Sequence, residues 1–132
     1  IDNIRENSSK ILMLEDLFFK LLNDNKIKHQ INGKHRIPGI INITFPDILG
    51  QNLVMKLDLE NIAVSFGSAC ASGTPKASKV LLDLGLTPDE ALRTIRISIG
   101  KFHQKDDIHC LVNTLNNILN FKNNKMNHSY AK

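Results

Sequence analysis

The stretch TIRISIG at residues 94–100 limits most sharply how this chain can fold. Its apolar residues Ile95, Ile97 and Ile99 alternate with the polar Thr94, Arg96 and Ser98. Successive side chains of a strand point to opposite faces, so this spacing predicts a half-buried strand, ended by Gly100. A strand of that kind belongs in a sheet with an apolar layer against it. Two further runs carry β-branched residues beside turn signals: IKHQING, closed by Asn32 and Gly33, and GIINITF, introduced by Pro38-Gly39. The short run IAVSF at residues 62–66 predicts a fourth strand.

Helical spacing separates these runs. Within residues 2–25, Ile11, Leu12, Leu14, Leu17, Phe18, Leu21 and Leu22 recur with helical period. QNLVMKLDLEN repeats the pattern through Leu53, Val54, Leu57 and Leu59. Thr74 is placed as an N-cap and Pro75 in a first turn, opening a helix through Val80, Leu81, Leu82 and Leu84 that stops at Gly85. Thr87-Pro88-Asp89-Glu90 starts a short helix with its own cap, and residues 105–121 form a last amphipathic helix. Residues 122–132, rich in asparagine and lysine, are expected to be a disordered basic tail. The order α-β-β-α-β-α-α-β-α gives an α+β fold, one sheet of about four strands with helices packed on it; the strand directions stay open.

Length and charge exclude several functions. A chain of 132 residues builds one domain with a real core. A net charge of +4 with no Trp and one Tyr lacks the basic, aromatic face that nucleic-acid binding uses. No apolar run approaches the ~18 residues of a membrane span. Cys70 and Cys110 match neither a disulfide framework nor zinc-ligand spacing, and a reducing compartment, the cytoplasm, fits them. His103 and His109 lie close to Cys110 without a metal-site spacing, so no metal is assigned. The chain begins at Ile1, inside a helical pattern, which suggests a piece cut from something longer.

The two cysteines differ in their surroundings. Cys110 lies among Ile108, Leu111 and Val112 and is expected to be a buried small hydrophobe. Cys70 lies in VSFGSACASGTPKASK, where residues 67–73 are Gly67, Ser68, Ala69, Cys70, Ala71, Ser72 and Gly73. Such a run buries little apolar area against its conformational entropy. It is expected to be a mobile loop with an accessible thiol. The expected helix start and the lysines Lys76 and Lys79 just beyond it would favour the thiolate. On these residues alone a reactive and a structural Cys70 both remain open. The glycine spacing does not fit a phosphate loop, and nothing brings His29 or His35 beside the thiol for a Cys-His protease.

SFGSACASG, followed by SKVLLDLGL and TIRISIGKF, resembles the C-terminal domain of the cysteine desulfurases, in the class V aminotransferase group. RIPGIINITFPDILGQNLVMKLDLENIAVSFGSAC extends the resemblance, with Asn42 in its Pro-x-x-x-Asn run. The resemblance implies the small C-terminal domain of the aspartate-aminotransferase type over residues 1–121. It implies conversion of L-cysteine to L-alanine, with sulfur held as a persulfide on Cys70. A mobile loop of Gly67, Ser68, Ala69, Ala71, Ser72 and Gly73 would carry that sulfur to an acceptor scaffold protein, for iron–sulfur clusters or thiolated tRNA. Arg96 matches the arginine that holds the substrate carboxylate; Asn42 has a weaker claim. The family's pyridoxal phosphate would be held by a separate, larger domain, because no Ser-x-His-Lys element exists here, and the full enzyme would be a homodimer. Departures are Phe66 where serine is frequent, Lys76-Ala77-Ser78-Lys79 before the loop helix, and Lys101 for a frequent arginine. The rival readings are a stand-alone persulfide-accepting or docking module and a non-functional remnant.

Overall fold

The computed structural model describes the backbone of residues 2–67, 70–71, 74–75 and 77–131, and the side chains of residues 5–67 and 77–120. Helix α1 (Asp2–Asp24) buries Leu14, Phe18 and Leu22, one stripe four residues apart. Strands β1 (Gln30–Asn32) and β2 (Ile40–Thr44) follow, then helix α2 (Gly50–Leu59), which buries Leu53 and Leu57. Beyond strand β3 (Ser65–Phe66) come β4 (Cys70–Ala71) and β5 (Thr74–Pro75), the short helices α3 (Lys79–Asp83) and α4 (Pro88–Leu92), strand β6 (Thr94–Ser98) and helix α5 (Lys105–Ala131).

The main sheet has the order β1-β2-β6-β3, with every neighbouring pair antiparallel. This is the α+β architecture expected, and the register supplies the strand directions. Ile31 pairs with Ile43 and Ile43 with Ile95; Ile41 pairs with Ile97. These residues line one face and pack into a single core with Leu14, Phe18 and Leu22 of α1, Leu53 and Leu57 of α2, and Ile108, Leu111, Val112 and Leu115 of α5. The four α5 residues fall at i, i+3, i+4 and i+7, the buried stripe of a helix.

The β1–β2 connection is fixed by tight contacts. Gly39 sits at φ +91, and a Cβ there would stand 2.3 Å from the Ile99 carbonyl oxygen, so glycine lets β2 enter the sheet beside the end of β6. At the same residue, the buried Glu15 carboxylate of α1 accepts the Gly39 N–H at 2.6 Å, and it pairs with Arg36 at 3.2 Å. That carboxylate therefore ties α1 to the β1–β2 connection.

The structure corrects four expectations. Thr74 and Pro75 do not open a helix: they form β5, paired antiparallel with Cys70 and Ala71 of β4. An extended residue before proline serves a strand and an N-cap alike, as Thr87 ahead of Pro88 shows, so the Thr-Pro pair alone does not open a helix. Helix α3 starts instead at Lys79, with Ser78 at its N-cap. Cys110 is exposed, because it lies off the α5 stripe that its neighbours Ile108, Leu111 and Val112 form. Helix α5 continues through Ala131, where residues 122–132 were expected to be disordered; extending a formed helix needs no new nucleus. Strand β3 covers only Ser65 and Phe66 of the five-residue run expected. Among the described residues no helix is long and apolar enough to cross a membrane.

Candidate active site

The second face of the sheet is polar. Antiparallel pairing sets Asn32 opposite Asn42, Asn42 opposite Arg96, and Arg96 opposite Ser65, so one uncharged-polar row with a single cation crosses all four strands. Directly opposed residues share a face, which is why alternation in β6 alone places Arg96 here.

Part of this face is closed. Asn32, Thr44 and Thr94 are buried, and α4 reaches Thr94. The Thr94 hydroxyl donates to the Glu90 carbonyl at 2.7 Å, so in its 2.6 Å contact with Thr44 the Thr44 hydroxyl must be the donor. The Asn32 amide donates to Thr44 at 2.9 Å, and Gln30 donates to Asn32 at 2.8 Å. The hydrogen bonds run one way from Gln30 to Glu90 and leave no buried polar atom unsatisfied among the described side chains. Such a directed chain strengthens itself and makes this half of the face rigid.

The other half is open. Arg96 and Ser98 are exposed, and Asn42 is half-buried. The Arg96 guanidinium donates from Nη2 to Ser65 Oγ at 3.3 Å. Among the described residues no carboxylate pairs with it, whereas Arg36 is held by Glu15 and Arg93 by Asp89. An arginine held by a hydroxyl, beside an amide and without a counter-charge, keeps donors free for an incoming carboxylate.

The segment that carries Cys70 leaves from the edge of this face. Gly67 donates its N–H to the Thr94 carbonyl at 3.0 Å. A Cβ on Gly67 would stand 2.8 Å from that same oxygen, and so would a Cβ on Gly50 at the start of α2. Glycine at both positions lets α2 and β3 close on β6. Of the loop residues expected to act, Gly67 is thus an anchor two positions after Ser65. Cys70 and Ala71 have their backbone in β4, and their side chains lie outside the described residues, as do Ser68, Ala69, Ser72 and Gly73. The helix expected to start just beyond the thiol begins at Lys79, and the Cys70 side chain and Lys76 lie outside the described residues.

Sequence reasoning placed Arg96 and Asn42 but gave no role to Ser65 or Asn32. A signal existed in Ser65-Phe66-Gly67, where a polar and an aromatic residue alternate ahead of the glycine. It becomes readable only with the register. Away from this face, a cavity of about 450 Å³ is lined by Ile62, Val64, Ile97, His103 and Cys110; His103 Nδ1 accepts the Gly100 N–H at 2.8 Å. Among the described residues no three His, Cys, Asp or Glu side chains gather as a metal site.

Fold and face together define an α+β domain whose open strand face carries an arginine without a carboxylate partner among the described residues, on the strand that anchors Gly67. The chain belongs to the class-V aminotransferase family, whose model, Aminotransferase class-V, matches residues 3–111. It is 37% identical over 98 residues to the cysteine desulfurase IscS of Buchnera aphidicola, covering 74% of this chain and 24% of that protein. It is 36% identical over 111 residues to the cysteine desulfurase IscS of Ruthia magnifica, covering 83% of this chain and 27% of that one. The X-ray structure of a NifS-like protein from Rickettsia africae superposes with a TM-score of 0.74 at 32% identity, over 89% of this chain and 30% of that one. The chain spans about a quarter of the length of the curated relatives it matches.

The family is generally dependent on pyridoxal phosphate. That cofactor needs a lysine for its aldehyde and an acidic partner for its ring nitrogen. Among the described residues the open strand face carries Asn42, Ser65, Arg96 and Ser98, with neither lysine nor carboxylate. These residues do not fit the cofactor; they fit the carboxylate of a substrate.

Proposed function

We propose that this chain is the small C-terminal part of a cysteine desulfurase, contributing Cys70 as sulfur acceptor and Arg96 as the group that binds the carboxylate of L-cysteine. The observation that carries the reading is Arg96, a cation without a counter-charge among the described residues, on the strand that also anchors Gly67. Similarity to cysteine desulfurases over most of the chain supports the same reading.

In this proposal Arg96 grips the substrate carboxylate bidentately and fixes the amino acid's orientation. Asn42, facing it across the strand pair, adds a neutral polar neighbour. The Cys70 thiolate attacks the substrate sulfur; the S–S bond forms as the C–S bond breaks, and the carbon takes up a proton to become L-alanine. The cofactor is held outside the residues described here. The persulfide passes to an acceptor protein for iron–sulfur clusters or tRNA thiolation, and the complete enzyme works as a cytoplasmic homodimer. Small residues from Gly67 to Gly73 suit a segment that serves both the substrate and the acceptor.

The test mixes the chain with L-cysteine and pyridoxal phosphate, with and without the cofactor-bearing part of the enzyme. Alanine release and one added sulfur on the Cys70 peptide are expected only when that part is present. Cys70 left unlabelled in both mixtures, with the chain folded, would refute the assignment.

A further inference from the structure

The acceptor that holds Arg96 is itself held by the pairing of β3 with β6. Ser65 stands directly opposite Arg96 in the β3–β6 register, so the two side chains leave the same face. Phe66, the next residue, pairs with Ile95, and Gly67 bonds the Thr94 carbonyl at 3.0 Å. The Ser65 backbone therefore cannot shift along β6 without breaking these pairings or bringing the Gly67 Cα onto the Thr94 oxygen.

A long exposed arginine side chain otherwise samples many rotamers, and binding a ligand would require it to give up that freedom. A guanidinium has more N–H donors than one bidentate carboxylate uses. Ser65 Oγ takes one from Nη2, at 3.3 Å, and leaves the rest of the fork for ligand. Asn42, the opposite neighbour of Arg96, forms no hydrogen bond with the guanidinium.

We propose that Ser65 is a positioning residue for Arg96, holding its guanidinium in the orientation that the substrate carboxylate meets. The inference rests on the reading of Arg96 as the carboxylate-binding group. It adds that β3 does two things: it orients the substrate end of the site through Ser65, and two residues later it starts the segment that leads to Cys70.

The experiment uses the full chain with its cofactor-bearing part and compares Ser65→Ala, Ser65→Thr, Arg96→Ala and the Ser65→Ala/Arg96→Ala double variant. Alanine release gives kcat and KM for L-cysteine, and the ¹⁵N–¹H resonances of the Arg96 guanidinium report its restriction. Ser65→Ala is expected to raise KM ~5-fold with kcat nearly unchanged, the mark of lost uniform binding. Ser65→Thr keeps the hydroxyl and restores KM. Ser65→Ala adds nothing once Arg96 is gone, because it acts through Arg96. The Arg96 Nη resonances, distinct in the unmodified protein, average in Ser65→Ala. An unchanged KM, or a Ser65→Ala effect that persists in the Arg96→Ala background, overturns the proposal. If the unmodified protein releases no alanine, the desulfurase reading fails and the resonances decide: averaging on Ser65→Ala supports the positioning role, and an unchanged spectrum overturns it.

Discussion

Gly67→Ala tests whether the junction of β3 and β6 is as tight as its geometry indicates. A Cβ at this position would lie 2.8 Å from the Thr94 carbonyl oxygen and 3.2 Å from the Thr94 carbonyl carbon and Cγ2, against about 3.4 Å for ordinary contact. The backbones must part by about 0.6 Å, the gap between that 2.8 Å and 3.4 Å. Neither side yields easily. Thr94 is fully buried, its hydroxyl is committed to Glu90 and Thr44, and its carbonyl also crowds Gly50. Overpacking a tight contact costs about 1–3 kcal/mol, and stretching the Gly67–Thr94 hydrogen bond adds up to about 1 kcal/mol. The middle of that range, about 2–3 kcal/mol, at roughly 3–4 °C per kcal/mol for a domain of this size, lowers Tm by ~6–12 °C. The assay is thermal unfolding followed by circular dichroism, with Gly100→Ala as the control. There the nearest atom to a new Cβ is His103 Nδ1 at 4.0 Å, so little change is expected. A Gly67→Ala protein that melts with the unmodified one would refute the claim that contact with Thr94 sets the glycine.

Glu15→Ala leaves the Gly39 N–H and the Arg36 guanidinium without their acceptor and should cost about 3 kcal/mol in urea unfolding; Glu15→Gln, which keeps an acceptor, should cost less. Arg96→Lys should leave the unfolding curve unchanged, since no carboxylate among the described residues depends on it, while KM for L-cysteine rises ~10-fold through loss of the planar fork. Glu90 has its pKa held below the ordinary value, first by the Thr87 backbone N–H and then by the Thr87 hydroxyl, in a capping box at the start of α4. A depressed carboxylate stabilises the fold above its unfolded pKa and loses that contribution as pH falls through the folded one. The protection of the Thr87 amide relative to its intrinsic exchange rate should therefore fall selectively as pH drops below the ordinary carboxylate range, and Thr87→Ala should abolish the Glu90 dependence.

How much of this was legible depends on how local each cause is. The alternation of Ile95, Arg96 and Ile97 is a property of consecutive residues, and it placed Arg96 on a strand face opposite the core. The Thr87 cap is equally local, and the structure contains it with its reciprocal Glu90 partner. Pairings between distant segments were not legible. Ser65 meets Arg96 across 31 positions and Thr44 meets Thr94 across 50, and neither sequence neighbourhood carries a mark of the other. The β4–β5 pair escaped for a different reason: Cys70, Ala71 and Thr74 have too little side chain to show a period, and Pro75 was read as a helix start. Cys110 was misplaced because sequence neighbours on a helix are about 100° apart, so Leu111 and Val112 say little about the side their neighbour faces.

The two faces of the sheet differ in what folding asks of them, and that difference explains why Arg96 has no carboxylate partner among the described residues. The core needs only the isoleucine face, where α1, α2 and α5 cover Ile41, Ile43, Ile95 and Ile97. Half of the opposite face is closed by α4 through a hydrogen-bond chain in which each buried group is satisfied. Folding therefore asks nothing of the remaining row of Asn42, Arg96 and Ser65. Had Arg96 been needed to hold the sheet, the expected partner would be a carboxylate, as Glu15 is for Arg36. It has a serine hydroxyl instead, strong enough to bias a rotamer but too weak to compete with an arriving carboxylate for the rest of the fork. A central strand gives that cation a rigid base on both sides, β2 through Asn42 and β3 through Ser65. Such an arrangement suits recognition of a small anionic group and is poorly explained as a device for stability.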